Sequence, residues 1–394
     1  MSFLGRTAAI GVVVLVAACG SPLPSTIPDA GWTALRWATP AFTAPYEHIS
    51  DVVAWDGGYV AVGSFQNVQG RSQAAAWISP DWRTWTRTLR DVPAAGDSML
   101  NRIVMVGGRL VAIGTSGERV CNPPAGEGAV CDPLPVTIRI SADGRSWEPP
   151  ASPAAMTGLA VDAVASDGHL LLLAGNTGWD RPAIWATVDG TTWQQATLPA
   201  ASFANAHFAG LTVSGSDFIL TGSTGGKEPA CCVSGNSDTT PAAWLSADGT
   251  AWDREAVDGA SAALGDAIGP VFAGRSGMVA WGGRDASHGW ASPDGRRWSA
   301  LPKPAGYPVI PRASDGNGIV GDSYSAGDTG QFWWSGDGTA WRALTNEGQV
   351  DQVPSTATGA WADAEFLFPG GVGLIGQNGT DREPLWFARA SAGS

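Results

Sequence analysis

The side chains best suited to chemistry in this chain are arginines that stand beside acidic residues in loop-like segments. Arginine binds carboxylates through a planar fork of donors, and paired carboxylates can cleave glycosidic bonds. Seven candidate binding residues belong to these segments: Trp179, Asp180, Arg181, Arg119, Arg284, His288 and Arg382. Trp179 could stack on a sugar or anchor a protein partner, or it could pack on its own hairpin. Alternating acidic and basic residues form a solvated rim more often than a catalytic pair.

The local sequence carries no complete pattern for catalysis or metal binding. The four histidines form neither an HExxH pair nor a triad-like arrangement. No histidine and no second Cys-x-x-Cys motif lies at ligand spacing from the cysteines, so we predict neither a metal nor a cofactor. Binding is therefore favoured over catalysis.

A recurring phrase indicates which elements hold these loops. It reads Ser or Thr, any residue, Asp, Gly, two residues and Trp, and its aspartates are Asp81, Asp143, Asp189, Asp248, Asp294 and Asp337. In a tight turn, each aspartate can accept backbone N–H bonds, the glycine supplies a positive φ, and the tryptophan packs back on the hairpin. The first copy has Trp82 in place of the glycine, so we expect that turn to be strained or of another type.

The repeat predicts a ring of small antiparallel sheets. Seven hairpins end in glycine, from residues 59–63 to residues 372–376, whereas the phrase occurs six times. The strand missing from the last repeat matches the segment around Trp32. We therefore predict an all-β fold with one domain over residues 31–390, a seven-bladed β-propeller of four-stranded antiparallel blades. The strand around Trp32 is expected to pair with the strand around Trp386 and close the ring.

The phrase resembles the Asp-box, or BNR repeat, of the sialidase-like propellers, although the usual box has a residue between Asp and Gly. The resemblance implies that the turn joins the third and fourth strands of a blade. The boxes could also be calcium or sugar sites. Sialidases use an arginine cluster and a tyrosine with an acidic partner, but the chain lacks a Phe/Tyr-Arg-Ile-Pro segment near its start. A sialidase-like glycoside hydrolase is therefore the alternative function.

The N-terminus predicts export and a lipid anchor. Arg6 precedes an apolar run, and residues 1–18 have the features of a signal peptide. Residues 16–19, Val-Ala-Ala-Cys, resemble a bacterial lipobox, which implies cleavage before Cys19 and acylation of its thiol, for example by palmitate. Residues 19–30 are then a short linker. We expect the protein on the extracytoplasmic side of the cell membrane, held there through the lipid alone.

The remaining cysteines fit an oxidising compartment. Cys121 and Cys131 bracket a polar, proline-rich loop, and a disulfide there would stabilise it. Cys231 and Cys232 are adjacent, so they form either a vicinal disulfide or cross-links to the first pair. Four cysteines allow three pairings, and spacing does not choose among them.

Charge and loop length indicate where a partner would bind. The net charge of −13 excludes nucleic acid, because phosphate backbones are repelled. The turns that contain the phrase are tight, whereas the loops between strands two and three and between strands four and one vary in length. Variable loops on a rigid scaffold are typical binding sites. We therefore predict a monomeric, non-catalytic binding or scaffold lipoprotein of the cell envelope, whose protein or glycan partner lies on that face.

Overall fold

The computed structural model describes residues 32–42, 47–82, 84–90, 96–118, 121–122, 130–131, 133–149, 151, 153–178, 181–225, 239–259, 267–282, 288–302, 309–323, 331–348, 361–368, 371–377 and 385–392. Nearly all of these residues lie in β-strands or the turns between them. The all-β class predicted from the sequence is confirmed.

The strands follow one another through short hairpins. The first ten are β1 (Trp32–Phe42), β2 (Glu47–Trp55), β3 (Gly58–Gln66), β4 (Ser72–Ser79), β5 (Thr86–Arg90), β6 (Asp97–Val106), β7 (Arg109–Gly117), β8 (Cys121–Asn122), β9 (Val130–Cys131) and β10 (Val136–Ser141). The next ten are β11 (Leu159–Ser166), β12 (Leu171–Thr177), β13 (Arg181–Thr187), β14 (Gln194–Gln195), β15 (His207–Ser214), β16 (Asp217–Gly225), β17 (Thr239–Ser246), β18 (Asp253–Val257), β19 (Val271–Ala273) and β20 (Met278–Gly282). The last ten are β21 (His288–Ser292), β22 (Arg297–Ala300), β23 (Ile310–Ser314), β24 (Ile319–Ser323), β25 (Gln331–Ser335), β26 (Arg342–Ala343), β27 (Thr345–Gly348), β28 (Trp361–Phe368), β29 (Gly371–Gln377) and β30 (Leu385–Ala392). A 3₁₀ turn at Ala154–Met156 and the one-turn helix α1 (Ala200–Phe203) precede β11 and β15.

Consecutive strands pair antiparallel in small sheets. Strands β2–β5, β11–β14 and β23–β26 form four-stranded sheets, and β6, β7 and β10 form a three-stranded one. Strands β15–β18 and β19–β22 belong to one eight-stranded sheet, because their outer strands β18 and β22 pair in parallel. The ribbon β8–β9 lies between β7 and β10 in the chain.

The two ends of the described chain meet in a five-stranded sheet of order β27-β1-β30-β29-β28. Strand β1 pairs antiparallel with β30, with Leu35 opposite Ala390. It also pairs in parallel with β27, where Leu35 lies opposite Asn346. The segment around Trp32 therefore lies beside the segment around Trp386.

Within each run of consecutive antiparallel strands, the strand that comes first in the chain is called the first strand: β2, β6, β11, β15, β19, β23 and β28. Each first strand contacts the next in this order, and β28 also contacts β2. These contacts therefore place the first strands side by side. The hydrophobic core lies between neighbouring sheets, as where Phe203 stacks on Trp244 with ring centroids 5.0 Å apart.

Six of the first strands carry a β-bulge at the equivalent position, directly after the residue that pairs with the hairpin glycine. In each strand one extra residue interrupts the register, and the six are Ser50, Asn101, Asp162, Ala209, Arg312 and Asp363. The residue before each bulge lies opposite the glycine that ends the hairpin, as Val161 lies opposite Gly175. A Cβ on Gly175 would overlap the carbonyl oxygen of Ala160. The repeated glycine is thus explained by close approach of the first strand.

Candidate functional site

A cavity of about 400 Å³ lies against three neighbouring first strands, and we call it the channel cavity. It is lined by His48, Ile49, Ser50, Met99, Asn101, Arg102, Ile113, Gly114, Thr115, Val161, Asp162 and Val164. Its size falls within the usual range for ligand sites. Most of its polar groups belong to strands β2, β6 and β11, so paired strands position them.

The bulges place polar side chains in this cavity. Ser50, Asn101 and Asp162 are the extra residues of β2, β6 and β11, and bulges re-aim the side chains they carry. All three lie among the first five residues of their strands. Each first strand begins at the same end of its sheet as the loop between the second and third strands. The channel cavity therefore lies toward that end.

Asp162 is the carboxylate that lines the cavity among the described residues. More than a third of its surface is accessible, and the residue lines the channel cavity. Partial burial raises the pKa of its carboxyl to about 6. A cation that lies against this partly buried carboxylate would stabilise its ionised form.

Asp51 lies next to the bulge in β2, and its carboxylate is engaged by the backbone. Its Oδ1 accepts the N–H of Val52 and its Oδ2 accepts the N–H of Ile103, each at 2.9 Å. Burial raises the pKa of this carboxyl to about 6 and outweighs the opposing effect of the nearby Arg102 charge. Asp51 thus links two neighbouring first strands.

Arg102 and Ser50 add two further polar groups to the lining. Arg102 is exposed, and its Nη1 donates a hydrogen bond of 3.1 Å to the carbonyl oxygen of Asn101. The Oγ of Ser50 is buried and has no hydrogen-bond partner within the described residues. Such a group is costly to leave unsatisfied, and a ligand or a water would satisfy it.

The structure places two of the seven candidate binding residues and does not bring them together in one site. Arg181 begins β13 and is exposed. His288 begins β21 and is half-buried, with its ring centroid 6.3 Å from that of Trp290. The other five lie outside the described residues: Trp179, Asp180, Arg119, Arg284 and Arg382.

Sequence reasoning missed the residues of the channel cavity. The available signal was the glycine that ends each hairpin, because the first-strand residue just after its partner is the bulged one. Reading that position along the chain gives Ser50, Asn101 and Asp162. Using it requires the pairing register, which the hairpin sequences alone do not supply.

The repeated turns lie at the opposite end of the sheets and have the expected geometry. In the copy around Asp189, Oδ1 accepts the N–H groups of Thr191 and Thr192, both at 2.8 Å. Gly190 has a φ of +76°, and the Nε1 of Trp193 donates to the Gly190 carbonyl at 3.0 Å. The backbone N–H of Thr192 is the largest cause of the lowered Asp189 pKa.

The other copies follow the same pattern in whole or in part. Two N–H groups are accepted by Asp143, Asp248 and Asp337. Asp81 accepts the N–H of Thr84, and Asp294 accepts the N–H of Arg296. These hydrogen bonds contribute to holding the pKa of Asp143, Asp248 and Asp337 below its usual value. Each of these carboxylates therefore has a structural role in its turn.

Trp82 keeps the turn of the first copy in the same form despite replacing glycine. It has a φ of 64°, which is rare for a residue with a side chain, so the turn is strained rather than rearranged. The Nε1 of Trp85 donates to the Trp82 carbonyl at 3.1 Å, as in the other copies. The Trp82 ring is buried and lies 4.8 Å from that of Tyr59, and this packing offsets the strain.

The cysteines fall largely beyond the described part of the chain. Cys19, Cys231 and Cys232 lie outside it. Cys121 and Cys131 lie directly opposite each other in the antiparallel ribbon β8–β9. No helix within the described ranges is long and apolar enough to cross a membrane.

Comparison with known proteins shows the fold and no family. No family model and no curated protein matches the chain. A structure of YCF48 bound to D1 peptide is 16% identical, with a TM-score of 0.53 over 91% of this chain and 98% of that one. The β-propeller domain of the Trilobed protease from Pyrococcus furiosus, which has an open velcro topology, is 9% identical, with a TM-score of 0.51 over 89% and 96%. The chain is therefore a β-propeller.

A sialidase from Trypanosoma rangeli in complex with sialic acid also matches. It is 14% identical, and its TM-score is 0.45 over 90% of this chain and 57% of that one.

Proposed function

We propose that the protein is a lipid-anchored, non-catalytic binding propeller of the bacterial cell envelope. Residues 31–390 form one domain, in which the seven first strands open seven blades and β1 closes the last blade against β30. The contacts between successive first strands and the β1–β30 pairing support this closure. The repeated turns are Asp-box turns of an unusual, shortened form.

The channel cavity is the observation that carries the binding function. It combines a rigid wall of paired strands with polar groups displayed by bulges, and it lies toward the end with the variable loops. Sites on rigid elements hold their groups precisely, and adjacent loops add specificity. A protein of this fold has been solved with a bound peptide, which supports a polypeptide as the first class of partner to test.

The alternative, a sialidase-like glycoside hydrolase, needs two carboxylates that face the same substrate. Among the described residues that line the cavity, Asp162 is the single carboxylate. The carboxylate of Asp51 lies nearby but accepts two backbone N–H groups. This arrangement favours binding over hydrolysis.

The proposed anchor at Cys19 gives the propeller an orientation. Strand β1 is antiparallel to β30 and begins where β30 ends, which is the end of the repeated turns. A short linker between Cys19 and β1 would hold that end toward the membrane. The channel cavity and the variable loops would then face away from it.

We also propose a disulfide between Cys121 and Cys131. Residues directly opposite in an antiparallel pair have Cα atoms about 4.5–5.5 Å apart, which is within the range for a disulfide. The register of β8–β9 therefore favours this pairing over cross-links to Cys231 or Cys232.

A pull-down from envelope extract tests the binding function. The bait is the chain from residue 20, either unchanged or with Trp179→Ala and Arg181→Ala on the variable-loop face. A matched control carries Arg145→Ala and Val188→Ala in exposed positions of the repeated turns. We expect a partner that the unchanged and control baits recover and the first double variant loses. Equal recovery by all three baits would remove this face from the proposal.

Two further measurements separate the alternatives. Turnover of fluorogenic glycosides that is abolished by Asp162→Asn would establish the hydrolase instead. Replacing Cys19 with Ser should move the protein from the membrane to the soluble fraction and remove the acyl mass from its N-terminal peptide. Unchanged membrane attachment of that variant would contradict the anchor.

A further inference from the structure

The charges in the channel cavity are not balanced. Arg102 has a negative neighbour, because its charge interacts with the carboxylate of Asp51. Asp162, by contrast, has no hydrogen bond or ion pair to any described residue. Burial raises the pKa of its carboxyl. Among the described residues that line the cavity, the charged group without a counter-charge is therefore negative.

We propose that the channel cavity binds a cationic group, the ammonium or guanidinium of a polypeptide side chain, with Asp162 as its counter-charge. This inference rests on the proposed function, because it names the chemistry that the partner presents. The net charge of −13 agrees with it, since the field of the whole protein attracts cations. An anionic ligand would meet Arg102 but would also be repelled by Asp162.

The polar lining also suits a peptide rather than a bare ion. Ser50 has a buried, unsatisfied Oγ, and Asn101 and Thr115 lie on the same wall. These groups can donate and accept hydrogen bonds with peptide amides. Met99 and Val164 line the cavity as well and can contact the aliphatic stem of a lysine or arginine.

Small probes test the proposal directly on the whole propeller. The probe is acetyl-Gly-Lys-Gly-amide, and the matched neutral probe has norleucine in place of lysine. Binding is measured by saturation-transfer NMR and by calorimetry at pH 8, where Asp162 is ionised. We expect the lysine peptide to bind and the norleucine peptide not to bind. Failure of the lysine peptide to bind, or equal binding of both peptides, overturns the proposal.

Variants locate the binding at one carboxylate. Asp162→Asn should weaken the lysine peptide about tenfold or more, because a charge-assisted contact is lost. Asp162→Glu keeps the charge and should retain part of the affinity. Asp253→Asn is the matched control, since Asp253 is an exposed carboxylate on the outer strand β18. Unchanged affinity in Asp162→Asn would refute the assignment.

Two comparisons separate this inference from binding of a free amine and from binding of the probe on the loops. If n-butylamine binds as tightly as the lysine peptide, the cavity recognises a free amine, and the polypeptide class is wrong. Arg181 is not among the described residues that line the cavity, so Arg181→Ala should still bind the probe even if it loses the partner. Loss of the partner with retained probe binding would support a probe site in the cavity and a partner contact on the loops. Loss of both partner and probe would show that the probe site lies on the loops, and it would overturn the assignment to the cavity.

Acidification gives an independent readout. Binding should weaken as pH falls through about 6, because Asp162 gains a proton. Among the described residues, the other charged or titratable groups at the cavity are His48, Asp51 and Arg102. The Asp162→Asn variant retains all three, so any pH response that survives in it comes from them. An identical pH response in both proteins would contradict the role of Asp162.

Discussion

Replacing Gly175 with Ala should destabilise the propeller by more than its small size suggests. An added Cβ would overlap the carbonyl oxygen of Ala160 and would lie 2.9 Å from the carbonyl carbon and 3.1 Å from the Cα of Val161. These are backbone atoms of a paired strand, so no side-chain rotation relieves the contact. The strand must shift, and the bulge that displays Asp162 shifts with it.

The loss of folding free energy in Gly175→Ala can be compared with the loss in Gly168→Ala, which changes a second glycine of the same hairpin. Overpacking against backbone costs about 1–3 kcal/mol, and the absence of a flexible neighbour places Gly175→Ala near the upper value. Gly168 has a φ of +89° with nothing within 4 Å of the new Cβ, so Gly168→Ala costs about 1–2 kcal/mol for the backbone conformation alone. Both variants regain about 0.4–1 kcal/mol by restricting the unfolded chain. Gly175→Ala should therefore cost about 2 kcal/mol and Gly168→Ala about half as much.

Urea unfolding followed by tryptophan fluorescence measures this difference. With a slope of about 3 kcal/mol/M, the midpoint should fall by about 0.7 M for Gly175→Ala and by about 0.3 M for Gly168→Ala. Binding of the lysine peptide should weaken in the first variant and not in the second. A midpoint for Gly175→Ala at or above that of Gly168→Ala would refute the explanation of the repeated glycine.

Three further outcomes follow from the described residues. Trp82→Gly should lower the free energy of unfolding measured in urea by about 2–4 kcal/mol. Loss of a buried aromatic ring costs about 3–5 kcal/mol, and relief of the positive φ returns only about 1 kcal/mol. A gain in stability would show that the backbone strain dominates. Asp162→Asn should raise the melting temperature at pH 8 and leave it unchanged at pH 4. The folded pKa of about 6 lies above the usual carboxyl pKa of 3.8, so ionisation of Asp162 disfavours the folded state as pH rises between these values. An equal shift at both pH values would contradict this reason. Reduction should lower stability by about 2–3 kcal/mol, and Cys121→Ser should abolish that response; a response unchanged in Cys121→Ser would exclude the Cys121–Cys131 bond.

The fold class could be predicted from the sequence because its markers are local. The glycine of a tight turn, the aspartate that accepts backbone N–H groups and the returning tryptophan all act within seven residues, as in 187–193. Their recurrence then implies repeated sheets. Trp82 shows the limit of this reasoning, because burial against Tyr59 holds a turn that local propensity alone disfavours.

The candidate site could not be predicted in the same way, because it depends on contacts between strands. Asp51 and Asp162 are the same residue type on equivalent strands, and both have a raised pKa. One accepts N–H groups from its own strand and the next, whereas the other stands at a bulge and faces the cavity. Only the pairing register separates a structural carboxylate from a candidate ligand.

The position of β1 between β27 and β30 has a mechanical consequence. If the chain is held at its N-terminus, any tension on the tether pulls β1 along its own axis, and the hydrogen bonds on both sides are loaded together in shear. Hydrogen bonds that are loaded together withstand a larger force than hydrogen bonds that break one at a time. The strand nearest the proposed attachment point is thus held on both sides by segments from the far end of the described chain, so a pulling force would be shared between its pairings with β27 and β30.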